Sequence, residues 1–379
     1  MSLDEVFDIS YIYPAFATVI ISILLILTKE WHGKHSCDTT VGIQKFHTHQ
    51  VPRVGGVAIY FGFIAAWFVA SASISSLIGS LLIASLPAFV AGLTEDLTKR
   101  VGVRTRLIAT LISGVLAWWL TGYSINHIDI PGIDDLFTYK PLAIAFTAFA
   151  IAGIANATNI IDGFNGLAAG TMVVCYTAIC FIALQVGDIE IVQLCLFLIV
   201  VTSGFLVVNF PFGKIFMGDG GAYLLGFMLA WVSVMLPMRN PSVSVWAPFL
   251  VCSYPIIETI FSMGRRYINQ ENPGHPDIAH MHSLIKLRIV NRYFPNLSQS
   301  IRNGMVSPFC WAYALIPSSL SVLFYKQQAL LIVSCVVSFI IYTVIYKFLI
   351  NREQKIDHPA QQTDKDYICH VITKTNLDP

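Results

Sequence analysis

Four polar clusters in an otherwise apolar chain carry residue types and spacings suited to chemistry on phosphates. The first is Thr94-Glu95-Asp96-Leu97-Thr98-Lys99-Arg100. Adjacent carboxylates at Glu95 and Asp96 can help hold a divalent cation or accept a proton from a phosphate. The plainer reading is a helix end with a Glu95–Lys99 i,i+4 pair, worth a few tenths of a kcal/mol. The second cluster spaces Asn156, Asn159, Asp162 and Asn165 three apart. Such residues are neighbours on a helix face, so they form a polar stripe that drifts around the helix, and Gly163 and Gly166 offer bends that let it converge on a ligand. Amide contacts between packed helices are the structural alternative, but this many polar groups beside two glycines exceeds that need, because unpaired buried polar atoms are costly.

The third cluster runs from Asn209 to Gly221 and ends in Gly218-Asp219-Gly220-Gly221. A glycine-rich helix start offers free N–H groups to a phosphate. A carboxylate there opposes the phosphate unless a cation such as Mg²⁺ lies between them. Asp219 is therefore a candidate metal ligand, a helix N-cap, or both. The fourth cluster is His275-Pro-Asp277-Ile-Ala-His280-Met-His282, followed by Lys286, Arg288 and Arg292. Its cations suit either a pyrophosphate or an anionic lipid surface along a basic amphipathic segment. No third soft ligand lies near the two histidines, which disfavours zinc.

The elements that hold these clusters must cross a membrane. The 379 residues are 55% hydrophobic and 12% charged, against about 25% charged in a soluble domain. A net charge of +1 gives no footprint for nucleic acid. A helix needs about 20 apolar residues to span a bilayer. Eleven runs approach that length, at 11–28, 54–71, 77–93, 107–123, 141–157, 167–186, 191–208, 222–237, 245–263, 307–325 and 328–350. The chain thus reads as an all-α integral membrane protein, with one polytopic domain over 1–350 and a polar, disordered tail over 351–379. Met1–Ser10 holds Asp4, Glu5 and Asp8 but no basic residue, so the first run is expected to be a retained span rather than a signal peptide. The eight cysteines include no CxxC pair, and a disulfide framework is not expected.

With the amino terminus outside and the spans alternating, 20 of the 23 Lys and Arg residues fall on the inner side, and only Lys140, Arg239 and Lys326 fall outside. That partition obeys the positive-inside rule and places the carboxy terminus in the cytoplasm. It also gathers all four polar clusters on the inner face, where ionisable groups at a membrane edge are functional candidates. A multi-span transporter is the rival from another class. Its site would lie near the bilayer midplane, often between internal repeats, and the sequence shows no repeat.

These segments, in this order, resemble the polyprenyl-phosphate N-acetylhexosamine-1-phosphate transferases, the MraY/WecA superfamily. The similarity covers roughly residues 40–290. It rests on Asn156-x-x-Asn159-x-x-Asp162-Gly-x-x-Gly-Leu-Ala, on Asn209 ten residues before the Asp219 of Phe-Met-Gly-Asp-Gly-Gly, and on His47, Pro52, Arg53, Gly55 and Gly56. The resemblance implies transfer of a sugar-1-phosphate from a UDP-N-acetylhexosamine to undecaprenyl phosphate, giving lipid-diphosphate-sugar and UMP. Mg²⁺ is the implied cofactor, with Mn²⁺ as a substitute. It implies a multi-pass protein of the bacterial inner membrane with a cytoplasmic active site, and it allows a homodimer. Carried over by motif, Glu95, Asp96 and Asp219 fall on catalytic positions and Asp219 on the metal ligand. Asn156, Asn159, Asp162, Asn165 and Asn209 fall on the nucleotide-sugar pocket, and His280 and His282 on the loop histidines. Glu95 replaces an aspartate of the family's usual pair, and Asn165 replaces the second acid of Asp-Gly-x-Asp-Gly. The His-x-His loop lacks the three consecutive histidines typical of the peptidoglycan branch. This favours the WecA-like branch, which initiates O-antigen, capsule or exopolysaccharide synthesis, over phospho-MurNAc-pentapeptide transfer.

Overall fold

The structure, a computed structural model, describes residues 9–38, 50–270, 277 and 279–351. His47, His275 and the tail from residue 352 lie outside the described residues. Each of the eleven apolar runs is helical, as α1 (Ile12–Leu27), α2 (Gly55–Val69), α3 (Ala72–Thr98), α4 (Val103–Thr121), α5 (Lys140–Ile161), α6 (Leu167–Val186), α7 (Ile189–Asn209), α8 (Gly218–Arg239), α9 (Ser253–Ile268), α10 (Val306–Phe324) and α11 (Gln328–Asn351). Among the described residues, nine helices are long and apolar enough to cross a membrane, and the chain is an all-α membrane protein.

The difference from eleven has two local causes. Helix α2 is 15 residues long. The run 245–263 divides at Cys252 into Trp246–Val251 and α9. Pro255 has no N–H to give Val251, four residues earlier, and the freed Val251 carbonyl accepts instead from the Cys175 thiol at 3.4 Å. Pro87 lies inside the continuous α3, and there the Ser113 hydroxyl of α4 accepts from the Ala88 N–H at 3.1 Å. Membrane helices tolerate proline where neighbours satisfy the backbone like this. All described cysteines are free thiols.

Helix α8 runs through the middle of the bundle. It packs on α3 and α5 and also touches α2 and α6. Of its most apolar 18-residue window 89% is buried, against 17% for the first helix. Lipid is as apolar as leucine, so helices associate in it through close backbone approach at small residues. A Cβ on Gly92 would sit 2.6 Å from the Asp219 carbonyl carbon, and one on Gly226 would sit 2.7 Å from the Ala155 Cα. The outward faces carry large exposed apolar groups such as Phe68, Trp119, Phe149 and Leu323.

A two-stranded antiparallel pair, β1 (Cys37–Asp38) and β2 (Val51–Pro52), leads into the turn before α2. At one end of the bundle Arg239 joins Asp188 at 2.8 Å and Glu190 at 2.7 Å, bracing α7 against α8. Burial alone would raise Asp188, but hydrogen bonds from Arg239, Asn240 and the Ile191 N–H hold it below the usual carboxylate range. Arg239 is thus one of the few basic residues away from the end where the polar clusters gather.

Candidate active site

The other end of the bundle collects the acids. Asp96 closes α3, Asn159 and Asp162 end α5, and Asp219 opens α8. Asp96 is 2% exposed. Its two oxygens accept the backbone N–H groups of Asp219 and Gly220, each at 2.9 Å. The sequence left open whether Asp219 caps its own helix. In the structure the cap comes from Asp96, reaching across from α3 to the positive end of the α8 dipole. Asp219 is thereby free to point at cations. Its Oδ1 accepts from the Arg53 guanidinium at 2.5 Å and from the Asn159 amide at 3.0 Å, and its Oδ2 accepts from Arg106. Arg53 also reaches Asp96, at 3.2 Å. Asp162 completes the group. Burial, offset by Arg53 and reinforced by Asp219 and Asp96, pushes its carboxyl up to about 7.

The remaining candidates fall into place around this centre. Glu95 is half-buried, and its Oε2 accepts from the Val101 N–H at 2.8 Å. The asparagine stripe does not converge as a set. Helix α5 ends at Ile161 and the chain turns through Gly166 at φ +79°. Of the four, Asn159 and Asp162 face the carboxylates. Asn156 donates to Thr110 at 3.1 Å and to the Ala152 carbonyl at 2.8 Å. Asn165 donates to the Pro211 and Ser300 carbonyls at 2.9 and 3.2 Å. Asn209 accepts from the Gly166 N–H at 2.5 Å and donates to the Ile215 carbonyl at 2.6 Å. Asn165 and Asn209 pin the turns that flank the site to one another.

The loop histidines pack against the same turn. A Cβ on Gly163 would meet the His282 Nε2 at 3.0 Å, and the His282 ring lies edge-on to Phe164 with centroids 5.7 Å apart. Burial pulls His282 down to about 4, despite Glu258 and Asp277 nearby, so it is neutral at physiological pH. Reading the loop as a basic segment on the lipid surface does not match its packing. Arg265, Arg266, Lys286 and Arg288 are all buried. Arg265 and Arg266 turn inward onto Asp277; burial alone would raise its carboxyl, but His280, the two arginines and the Ala279 N–H hold it below the usual range. Burial beside Arg302 likewise lowers Lys286 to about 7.

Three groups were not identified from sequence as partners of the site. Arg53 entered only as inner-side charge and as part of the segment that resembles the family, and Arg106 only as inner-side charge, although two arginines at the edge that bears the acids were a usable signal. Glu258 was hidden inside an apolar run, and it is fully buried beneath the two histidines.

The centre can therefore bind anions through Arg53 and Arg106, bind a cation through Asp219, and exchange a proton near neutral pH through Asp162. The glycosyl transferase family 4 model matches residues 78–237, which hold Asp96, Asp162 and Asp219 of the centre and Glu95 beside it. The chain is 30% identical over 240 residues, 63% of its length, to a probable undecaprenyl-phosphate N-acetylglucosaminyl 1-phosphate transferase of Bacillus subtilis (strain 168), and that stretch spans 66% of the relative. It is 27% identical over 338 residues to a decaprenyl-phosphate N-acetylglucosaminephosphotransferase of Mycolicibacterium smegmatis, covering 79% of both chains. It is 29% identical over 240 residues to a phospho-N-acetylmuramoyl-pentapeptide-transferase of Geobacillus thermodenitrificans, covering 59% of this chain and 74% of the other. With its helical membrane fold and the carboxylate–arginine centre at the start of α8, the chain belongs to glycosyl transferase family 4.

Proposed function

We propose that this protein transfers an N-acetylhexosamine-1-phosphate from a UDP-sugar to undecaprenyl phosphate and releases UMP. The observation that carries the reading is the convergence of Asp96, Asp162 and Asp219 with Arg53 and Arg106 at one end of the bundle. The names of several relatives point the same way. An oxygen of the lipid phosphate must bond to the sugar-bearing phosphorus while the bridging oxygen leaves with UMP. Both reactants are anions, so screening and positioning supply most of the rate. Arg53 and Arg106 are the cations placed to meet them. Asp96 is committed to holding the start of α8, so its contribution is to fix where Asp219 points. Proton transfer from the lipid phosphate passes more naturally to Asp162, whose carboxyl titrates near neutral pH.

Mg²⁺ fits this centre. Asp219 already draws two guanidiniums and an amide, so its carboxylate stands where cationic groups gather. Mg²⁺ is usually held by one or two carboxylates plus substrate phosphates. Asp219 would hold it, and its chemistry there would be to neutralise pyrophosphate charge.

The distribution of basic residues supports an external amino terminus and a site facing the cytoplasm across the inner membrane. The replacement of the triple histidine by His280-Met-His282 favours the branch that initiates envelope polysaccharides. Purified protein supplied with undecaprenyl phosphate and, in turn, UDP-GlcNAc, UDP-GalNAc and UDP-MurNAc-pentapeptide decides both points of chemistry. The expected result is Mg²⁺-dependent UMP release from an N-acetylhexosamine donor. Release from the pentapeptide donor alone would move the chain to the peptidoglycan branch, and release from none would overturn the reading.

A further inference from the structure

We infer that Glu258 is a positioning residue that fixes both loop histidines through the two oxygens of one carboxyl group. Glu258 sits in the middle of α9 with no solvent exposure. Its Oε1 lies 2.9 Å from the His280 Nδ1, which is also 3.0 Å from the Ser262 hydroxyl, and accepts from the Met281 N–H at 3.2 Å. Its Oε2 stands 4.0 Å from the His282 Nδ1. Neither that oxygen nor that nitrogen makes a hydrogen bond of ordinary geometry among the described residues, and the buried Tyr342 hydroxyl also faces the Glu258 carboxyl. The two histidine rings stack with centroids 5.1 Å apart and an interplanar angle of 14°, so one carboxyl can serve both from one side.

An acceptor facing Nδ1 selects the tautomer with its proton there. The opposite nitrogen of His282 then keeps its lone pair. That Nε2 lies against Gly163, next in sequence to Asp162 of the reacting centre. A buried oxygen and a buried ring nitrogen without well-formed hydrogen bonds each carry a desolvation cost. A shift of about 1 Å closes the gap to hydrogen-bond length and removes both costs at once. Loading Nε2 with a donor from the nucleotide sugar polarises the ring and favours that closure. Glu258 thus works through His282, setting which nitrogen accepts and where it points.

The inference rests on the transferase reading, and a double-mutant cycle tests it separately. Glu258→Gln keeps the shape but replaces Oε2 or Oε1 with a donor, and it is expected to lower kcat/KM about 10–100-fold, the usual effect of losing a partner that orients a functional histidine. Glu258→Asp, which keeps the acceptor but shortens its reach, is expected to fall between. In a background that carries both His280→Ala and His282→Ala, Glu258→Gln is expected to change kcat/KM by less than about threefold, because a residue acting through the two histidines has nothing left to orient. Full multiplicative loss in that background, or wild-type kcat/KM in Glu258→Gln, overturns the inference. If Glu258→Gln fails to fold, the cycle is run with Glu258→Asp and judged the same way. An inactive wild type would defeat the transferase reading instead, and the cycle would then be scored on UDP-GlcNAc affinity.

Discussion

Asp96→Asn separates a carboxylate that builds the site from one that takes part in the reaction. Asp96 accepts two backbone N–H groups of α8 at 2.9 Å and an Arg53 contact at 3.2 Å, while 2% exposed. Hydrogen bonds to a charged group contribute about 1.5–3 kcal/mol each. Asparagine keeps one acceptor, and its NH₂ faces the other N–H, so one bond is lost and a buried donor is left unpaired. The expected loss is about 2–3 kcal/mol. At roughly 2–4 °C per kcal/mol for a chain of moderate size, Tm should fall by about 5–10 °C. The same change loosens the start of α8 and so displaces Asp219. A 1 Å misplacement of a reacting group costs up to about 100-fold in rate. Intrinsic fluorescence melting of the detergent-purified protein, which has seven tryptophans, and UMP release on the same samples measure both effects. An unchanged Tm would refute the cap. Lost turnover at unchanged Tm would return Asp96 to direct chemistry.

Asp219→Asn should leave the helix cap intact yet reduce turnover by at least about 100-fold and abolish the Mg²⁺ titration, since the site loses the charge that faces its cations; an unchanged Mg²⁺ profile would refute it. Asp162 should make stability fall as pH rises between its ordinary value of 3.8 and about 7, because over that window the unfolded chain has lost a proton that the folded chain keeps. His282 acts with the opposite sign between about 4 and 6.5, so the measurement is the difference in Tm between wild type and Asp162→Asn, which should move in favour of wild type toward the acid end and be independent of pH if Asp162 is unperturbed. Single cysteines at Asp135 and Asn296 in a cysteine-free background should label from the outside and the inside of sealed cells respectively, and equal labelling of both would refute the inferred topology.

Fold class was legible because lipid makes it so. Every backbone polar group must be satisfied within the span, so an apolar run of sufficient length has little option but helix. That constraint located most of the helices within a few residues, although the run 245–263 divides at Cys252 and nine helices rather than eleven are long and apolar enough to span among the described residues; spacing plus side nominated Asp96, Asp162 and Asp219. What the chain order concealed was which polar group meets which. Asp96 and Asp219 are 123 residues apart, and Arg106 and Asp219 are 113 apart. No local periodicity encodes pairings that exist only because α3, α4 and α5 pack around α8 at glycine-lined crossings. The even spacing of Asn156, Asn159, Asp162 and Asn165 implied one stripe, but α5 ends at Ile161, so Asn165 falls beyond the helix and bonds the Pro211 and Ser300 carbonyls, while Asn156, a turn before Asn159, is held by Thr110 and the Ala152 carbonyl. Glu258 was invisible for the same reason. A lone carboxyl in an apolar helix reveals its purpose only when tertiary packing sets two histidines upon it, since burial without partners would be too costly to persist.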